Sequence, residues 1–81
     1  MAEVHLWSGL RALADGQEMV EVDGATVGQV LDALIKAHPG LEPALKRGVS
    51  VAVDGTIVPN SRNHPVGPES EVFLLQKLAG G

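Results

Sequence analysis

The chain has 81 residues, of which 44% are hydrophobic and 20% charged, so it can fold around one small core but not two. Its formal net charge of −4 argues against nucleic acid and anionic membranes as partners. The absence of cysteine excludes disulfides, thiolate metal sites and a cysteine nucleophile. Because no apolar run has the length of a membrane span and no basic secretory leader is visible, we expect a cytoplasmic protein.

The first two strands are predicted from alternating side chains. Residues 3–7 alternate, with Val4 on the face to be buried and Trp7 on the opposite face. Alternation returns over residues 19–22, which predicts an antiparallel hairpin with a long connection. Residues 9–14, inside that connection, are expected to form a helical turn.

A helix is predicted next. Thr26 can cap it, and Gln29 follows at the spacing of a capping box. Apolar residues then recur along one helical face, and they are Val27, Val30, Leu31, Leu34 and Ile35. The pair Pro39-Gly40 ends this helix after His38. Residues 41–47 are expected to add a short helical turn.

The last third of the chain is predicted to contain three strands. Residues 49–53 and 56–58 flank Asp54-Gly55, and this pair favours a tight hairpin because it tolerates positive φ angles. Residues 59–70 contain three prolines and indicate a loop. Residues 71–75 alternate again and form the last strand.

This order of elements predicts an α+β fold, the β-grasp (ubiquitin-like) roll. It combines a mixed four- to five-stranded sheet with one main helix on one face. We expect a single domain over residues 1–75. Residues 76–81, which end in two glycines, are expected to form a free, flexible tail.

Conventional catalytic and metal-binding motifs are missing from the sequence. The serines lack a G-x-S-x-G context, and the glycines form neither a dinucleotide-binding nor a Walker motif. His5, His38 and His64 lack metal-ligand spacing and are interpreted as surface or helix-end residues. Glu69 and Glu71 are interpreted as solubilising residues that protect a sheet edge. We therefore expect no metal, no bound cofactor and no catalysis by the chain alone.

The terminal pair Gly80-Gly81 has a sharper interpretation than an incidental chain end. A carboxylate is a poor electrophile, but condensation with ATP gives an acyl adenylate, which sulfide converts into a thiocarboxylate. Glycine lacks a β-carbon, so such a terminus can enter a partner's closed active site. The six tail residues span about 20 Å when fully extended.

An apolar patch is predicted on the sheet face without a helix. Strand alternation places Trp7, Phe73 and Leu75 there, and the two-residue turn directs Ile57 to the same side. Exposed apolar clusters with a tryptophan are typical of protein-docking surfaces. The alternative is a second small core beneath the loop at residues 59–70.

Several segments carry a family resemblance over essentially the whole chain. They are residues 4–11, Ala25-Thr26-Val27-Gly28, Val53-Asp54-Gly55, and residues 71–75 leading into Ala79-Gly80-Gly81. With them the sequence resembles the MoaD/ThiS sulfur-carrier family, the ubiquitin-like proteins of molybdenum-cofactor and thiamin synthesis. Length and the Leu10-Arg11 segment look most like the small subunit of molybdopterin synthase.

The resemblance implies a sulfur-donating subunit of a transferase complex. A ubiquitin-activating-type enzyme would use ATP to adenylate Gly81, and a donor protein would supply the sulfur. The tail would then insert into a large synthase subunit; its residues are Lys77, Leu78, Ala79 and Gly80. Trp7, Ile57 and Leu75 match family positions on the partner-binding face.

The segment Gln76-Lys77-Leu78 departs from the resemblance, because family members often carry Pro-Pro-Val or a similar sequence there. This departure leaves other sulfur acceptors open, among them cysteine, thiamin, transfer-RNA bases and natural products, and also a ubiquitin-like modifier. The alternative from a different class is a plain, non-catalytic β-grasp interaction module whose terminal glycines are incidental.

Overall fold

The computed structural model describes residues 1–58 and 62–75. Its strands are β1 (Ala2–His5), β2 (Met19–Val22), β3 (Ser50–Val53), β4 (Thr56–Val58) and β5 (Glu71–Leu75). Its α-helices are α1 (Ser8–Arg11), α2 (Val27–Ala37) and α3 (Glu42–Lys46), with 3-10 turns at Ala12–Ala14 and Pro39–Leu41. The tail predicted at residues 76–81 lies outside the described residues.

The five strands form one mixed sheet in the order β2-β1-β5-β3-β4. The central strand β5 runs parallel to β1 and antiparallel to β3, and the two outer pairs are antiparallel hairpins. The core lies between the sheet and the main helix α2, and joins Val4 and Val72 to Val30 and Leu34. The predicted β-grasp roll is therefore confirmed, with all five strands in the sheet.

The first strand is shorter than predicted, because it ends at His5 and not at Trp7. The carbonyl of Trp7 accepts hydrogen bonds from the backbone N–H groups of Leu10 (2.9 Å) and Arg11 (3.2 Å), which opens α1. A carbonyl engaged in a helical turn cannot continue a strand ladder. Trp7 therefore occupies the N-cap of α1 and the strand ends two residues before it, although buried and half-buried residues still alternate through Leu6 and Trp7.

The main helix α2 begins with the predicted capping box. Thr26 Oγ1 accepts a hydrogen bond from the Gln29 backbone N–H at 3.2 Å, and Gln29 Oε1 accepts one from Ala25 N–H at 2.8 Å. The first bond satisfies a backbone donor that a helix start leaves without a partner, and the second engages the N–H of the residue just before the cap, one residue earlier than in the standard box. The helix buries Val27, Val30 and Leu34 and ends at Ala37, one residue before the predicted stop.

The turn between β3 and β4 has the predicted positive φ angles, 50° at Asp54 and 87° at Gly55. The Asp54 carboxylate has a second role, because it accepts hydrogen bonds from Ser70 Oγ at 3.0 Å and from Glu71 N–H at 2.9 Å. This carboxylate therefore joins the β3–β4 turn to the start of β5.

The loop before β5 packs beside the helix and not on the opposite sheet face. The backbone N–H of Val27 donates to the His64 carbonyl at 2.9 Å, and Val66 is buried in the core. Over residues 62–70, the alternative of a second core on the helix-free face is therefore wrong. Among the residues that the structure describes, no helix is long and apolar enough to cross a bilayer.

Candidate functional site

The helix-free side of the sheet, here called the outer face, carries one row of paired residues that crosses all five strands. The row is Met19, His5, Phe73, Ala52 and Ile57. Ile57 is 64% exposed and Phe73 is half-buried. Leu75, two residues after Phe73 on β5, is 39% exposed on the same side. Three of the four residues predicted for the patch therefore lie on this face.

Trp7 reaches the outer face from outside the sheet. It is half-buried, packs against the core, and lines a groove of about 450 Å³ together with Phe73 and Leu75. A β-carbon at Gly9 would lie 2.7 Å from Trp7 Nε1, so a glycine there gives the indole room to lie over α1. The groove thus gathers three predicted patch residues around the end of β5.

Ile57 lies apart from this groove. It is on the edge strand β4, two strands from Phe73, a separation of about 10 Å. Ala52 lies between them and is 7% exposed. The groove and the exposed Ile57 lie on the same sheet face, where one partner protein can cover both.

The outer face also holds polar side chains that the sequence did not connect. The His5 ring stacks on Phe73, with 4.4 Å between the ring centroids and 12° between the planes. Glu71 belongs to the central strand of the sheet, so its interpretation as edge protection is wrong. Glu71 lies beside Glu3 and His5 on this face. Sequence spacing alone cannot show this, because β5 is distant from β1 along the chain.

The other two histidines lie elsewhere. His38 Nδ1 is 3.5 Å from Asp15 Oδ2, beyond the end of α2. His64 offers its backbone carbonyl to the start of α2. Their positions agree with the interpretation of surface and helix-end residues.

The residues predicted to carry the chemistry follow directly after β5. Gly81 and the tail residues Lys77, Leu78, Ala79 and Gly80 lie outside the described residues. The last described residue before them is Leu75, which lines the groove. Along the chain, the predicted tail therefore begins one residue after the groove.

Comparisons with known proteins place this arrangement in a wider group. The family model described as the ThiS family matches residues 4–81. Among curated proteins, none matches the chain. Among solved structures, a chain of the Amycolatopsis orientalis BexX/CysO complex is 26% identical, with a TM-score of 0.87 and full coverage of both chains.

Two further structures share the fold. SAMP1 from Haloferax volcanii is 31% identical, with a TM-score of 0.81, and the match covers 99% of this chain and 98% of SAMP1. CysO from Mycobacterium tuberculosis, described as an antigen, is 22% identical with a TM-score of 0.86, over 96% of this chain and 100% of CysO. At that identity the last comparison bears on the fold alone.

Proposed function

Because this chain belongs to the ThiS family of ubiquitin-like sulfur carriers, we propose that it carries sulfur as a thiocarboxylate on Gly81. One observation carries the proposal: the family match runs from residue 4 through residue 81 and so includes the terminal pair Gly80-Gly81. The folded domain is the part that partner enzymes recognise, and the carboxyl carbon of Gly81 is the reactive centre.

The proposed cycle has three steps. The Gly81 carboxylate attacks the α-phosphate of ATP on an adenylating enzyme and releases pyrophosphate. Sulfide delivered by a donor protein then attacks the acyl carbon and displaces AMP, which leaves the thiocarboxylate. The thiocarboxylate sulfur finally attacks an electrophilic carbon of the acceptor and displaces a leaving group from it. Water then hydrolyses the resulting thioester, which restores the carboxylate and leaves the sulfur on the acceptor as a thiol.

The outer face supports a role in docking to the enzymes of this cycle. Leu75 and Ile57 are exposed, and Trp7 and Phe73 line the same surface. At protein interfaces a few well-packed side chains contribute most of the binding energy, and tryptophan is among the commonest of them. Because Leu75 directly precedes the terminal segment, an enzyme bound at the groove would receive Gly81 within reach of about 20 Å.

For the acceptor we propose the large subunit of molybdopterin synthase, which would make this chain the small subunit of that enzyme. The support is the sequence resemblance in length and at Leu10-Arg11. A second candidate, a modifier joined to other proteins, is favoured by the 31% identity to a small archaeal modifier protein. Both candidates use the same activated terminus and differ in what attacks it.

The test is the intact mass of the chain after incubation with an adenylating enzyme from the same genome, ATP and a sulfide donor. We expect a gain equal to one exchange of oxygen for sulfur. The variant lacking Gly81 should fold normally and gain nothing. No gain with any adenylating enzyme of that genome contradicts the proposal, and an equal gain in the truncated variant places the sulfur elsewhere.

The identity of the acceptor is tested with the thiocarboxylated chain. Incubation with the large synthase subunit and its pterin precursor should return the chain to its original mass and place sulfur in the product. A covalent adduct between the chain and a lysine of another protein would favour the modifier instead.

A further inference from the structure

Three side chains with metal-binding atoms meet on the outer face where β1 and β5 run in parallel. Glu3 and Glu71 are paired across these strands, and His5 lies two residues beyond Glu3. His5 Nε2 is 3.8 Å from Glu3 Oε1 and 3.6 Å from Glu71 Oε2. The three ligand atoms all lie within 4.8 Å of one another.

The His5 Nε2 atom is buried, yet it makes no hydrogen bond with any residue in the ranges 1–58 and 62–75. Its distances to the two carboxylates exceed the limit of a hydrogen bond. A charged imidazolium would hold a carboxylate oxygen at about 2.7–2.9 Å. The separations therefore do not match a hydrogen-bonded ion pair, and the buried nitrogen is left facing two carboxylates without a bonded partner.

The same separations match the edges of a metal coordination shell. Zinc binds imidazole nitrogen and carboxylate oxygen at about 2.0–2.2 Å, which places neighbouring tetrahedral ligands about 3.4 Å apart. The nitrogen–oxygen distances of 3.6 and 3.8 Å are within a few tenths of an ångström of that edge. The third edge, between the Glu3 and Glu71 oxygens, lies within the 4.8 Å that encloses all three ligand atoms.

The negative charges next to His5 favour a cation. Glu21 on β2 is paired with Glu3, so three glutamates lie side by side across β2, β1 and β5. Like charges directly opposite one another in a sheet are destabilising. A divalent ion between Glu3 and Glu71 would relieve this repulsion.

The histidine is held in place before any ion binds. Its ring stacks on Phe73 at 4.4 Å, and both residues belong to paired strands. Ligands fixed on strands keep their geometry better than ligands on loops. Imidazole with carboxylates, without thiolate, suits zinc and similar divalent transition ions.

We propose that Glu3, His5 and Glu71 form a binding site for one divalent transition-metal ion of the zinc type. Three protein ligands leave a fourth position for water. The site departs from the expectation of no metal drawn from sequence spacing. It is independent of the thiocarboxylate chemistry, so either proposal can fail without the other.

The test is calorimetric titration of the full chain with zinc chloride. We expect one ion per chain, and His5→Gln and Glu71→Gln should each weaken binding by about tenfold or more. Glu71 is exposed, so its substitution leaves the core intact. The matched controls His64→Gln and Glu69→Gln should bind zinc like the unaltered chain, and the His5 Nε2 resonance should shift when zinc is added.

Three results would overturn the site. The first is no zinc binding by the unaltered chain. The second is binding that survives both ligand substitutions unchanged. The third is full displacement of zinc by equimolar magnesium, which would show that carboxylates alone attract the ion without the histidine.

Discussion

The two faces of the sheet are built from alternate residues of the same strands, yet they differ in almost every physical property. On the face toward α2, β1 and β5 present Val4, Val72 and Leu74, all no more than 1% exposed. One residue away in sequence, the outer face presents His5, Phe73 and Leu75, which are half-buried or exposed.

This difference separates stability from recognition. Burying a valine or leucine side chain contributes about 1.5–3 kcal/mol, so the inner face and α2 account for much of the folding free energy. The outer face is not needed for the core and is free to carry aromatic, apolar and ionisable groups. The proposed function, in which the chain docks to several enzymes in turn, would use such a division.

The largest expected effect tests the inner face. Leu74→Ala should lower the free energy of unfolding by about 2–5 kcal/mol, because it leaves a cavity in the core. Leu75→Ala, the same substitution one residue later on the outer face, should cost less than about 1 kcal/mol. Urea denaturation of both variants measures the contrast, and equal losses would show that the two faces are not distinct.

The next effect tests the outer face. Leu75→Ala should weaken binding to the adenylating enzyme by about tenfold, or about 1.4 kcal/mol, because an anchor is lost from the interface. Leu13→Ala is the matched control, since Leu13 is 43% exposed and Leu75 is 39% exposed. Unchanged affinity for Leu75→Ala in a surface-binding assay would remove the groove from the docking surface.

A smaller effect concerns the helix that covers the inner face. Thr26→Ala removes the side-chain acceptor for Gln29 N–H and should cost about 1 kcal/mol of unfolding free energy. Thr26→Ser keeps a hydroxyl at the same position and should retain most of that stability. Thermal unfolding measures the midpoint temperature of both variants. Identical midpoints for Thr26→Ala and Thr26→Ser would show that the cap contributes nothing.

The smallest effect concerns Trp7, which lies between the two regions because it packs on the core and lines the outer groove. In Gly9→Ala the new methyl group must displace the indole. Fluorescence of this single tryptophan should move to longer wavelength, while unfolding free energy changes by less than about 1 kcal/mol. Ser8→Ala, on the same helix, is the control and should leave the emission unchanged. Unchanged emission in Gly9→Ala would contradict the position given to the Trp7 indole over Gly9.

Local signals in the sequence predicted most of the fold. The capping box at Thr26 and Gln29, the positive φ angles at Asp54-Gly55 and the strand at 71–75 all depend on neighbours a few residues apart. The face of Ile57 followed from the same turn geometry. Such features are readable because the interacting groups share one short segment.

Long-range pairing was not readable in the same way. Nothing local shows that β5 lies at the centre of the sheet beside β1, so the meeting of Glu3 and His5 with Glu71 was missed. The role of Asp54 in holding Ser70 and Glu71 was missed for the same reason. Trp7 was assigned to the first strand, because alternation does not reveal where a backbone carbonyl leaves the ladder for a helical turn.

Fragmentation of the thiocarboxylated chain in the mass spectrometer tests the central proposal most directly, because it locates the sulfur. We expect the added mass on the terminal fragments that contain Gly81 and on no fragment from the folded domain. Sulfur found on any other residue would contradict the proposal. So would a chain that has gained no sulfur after incubation with the adenylating enzyme, ATP and the sulfide donor.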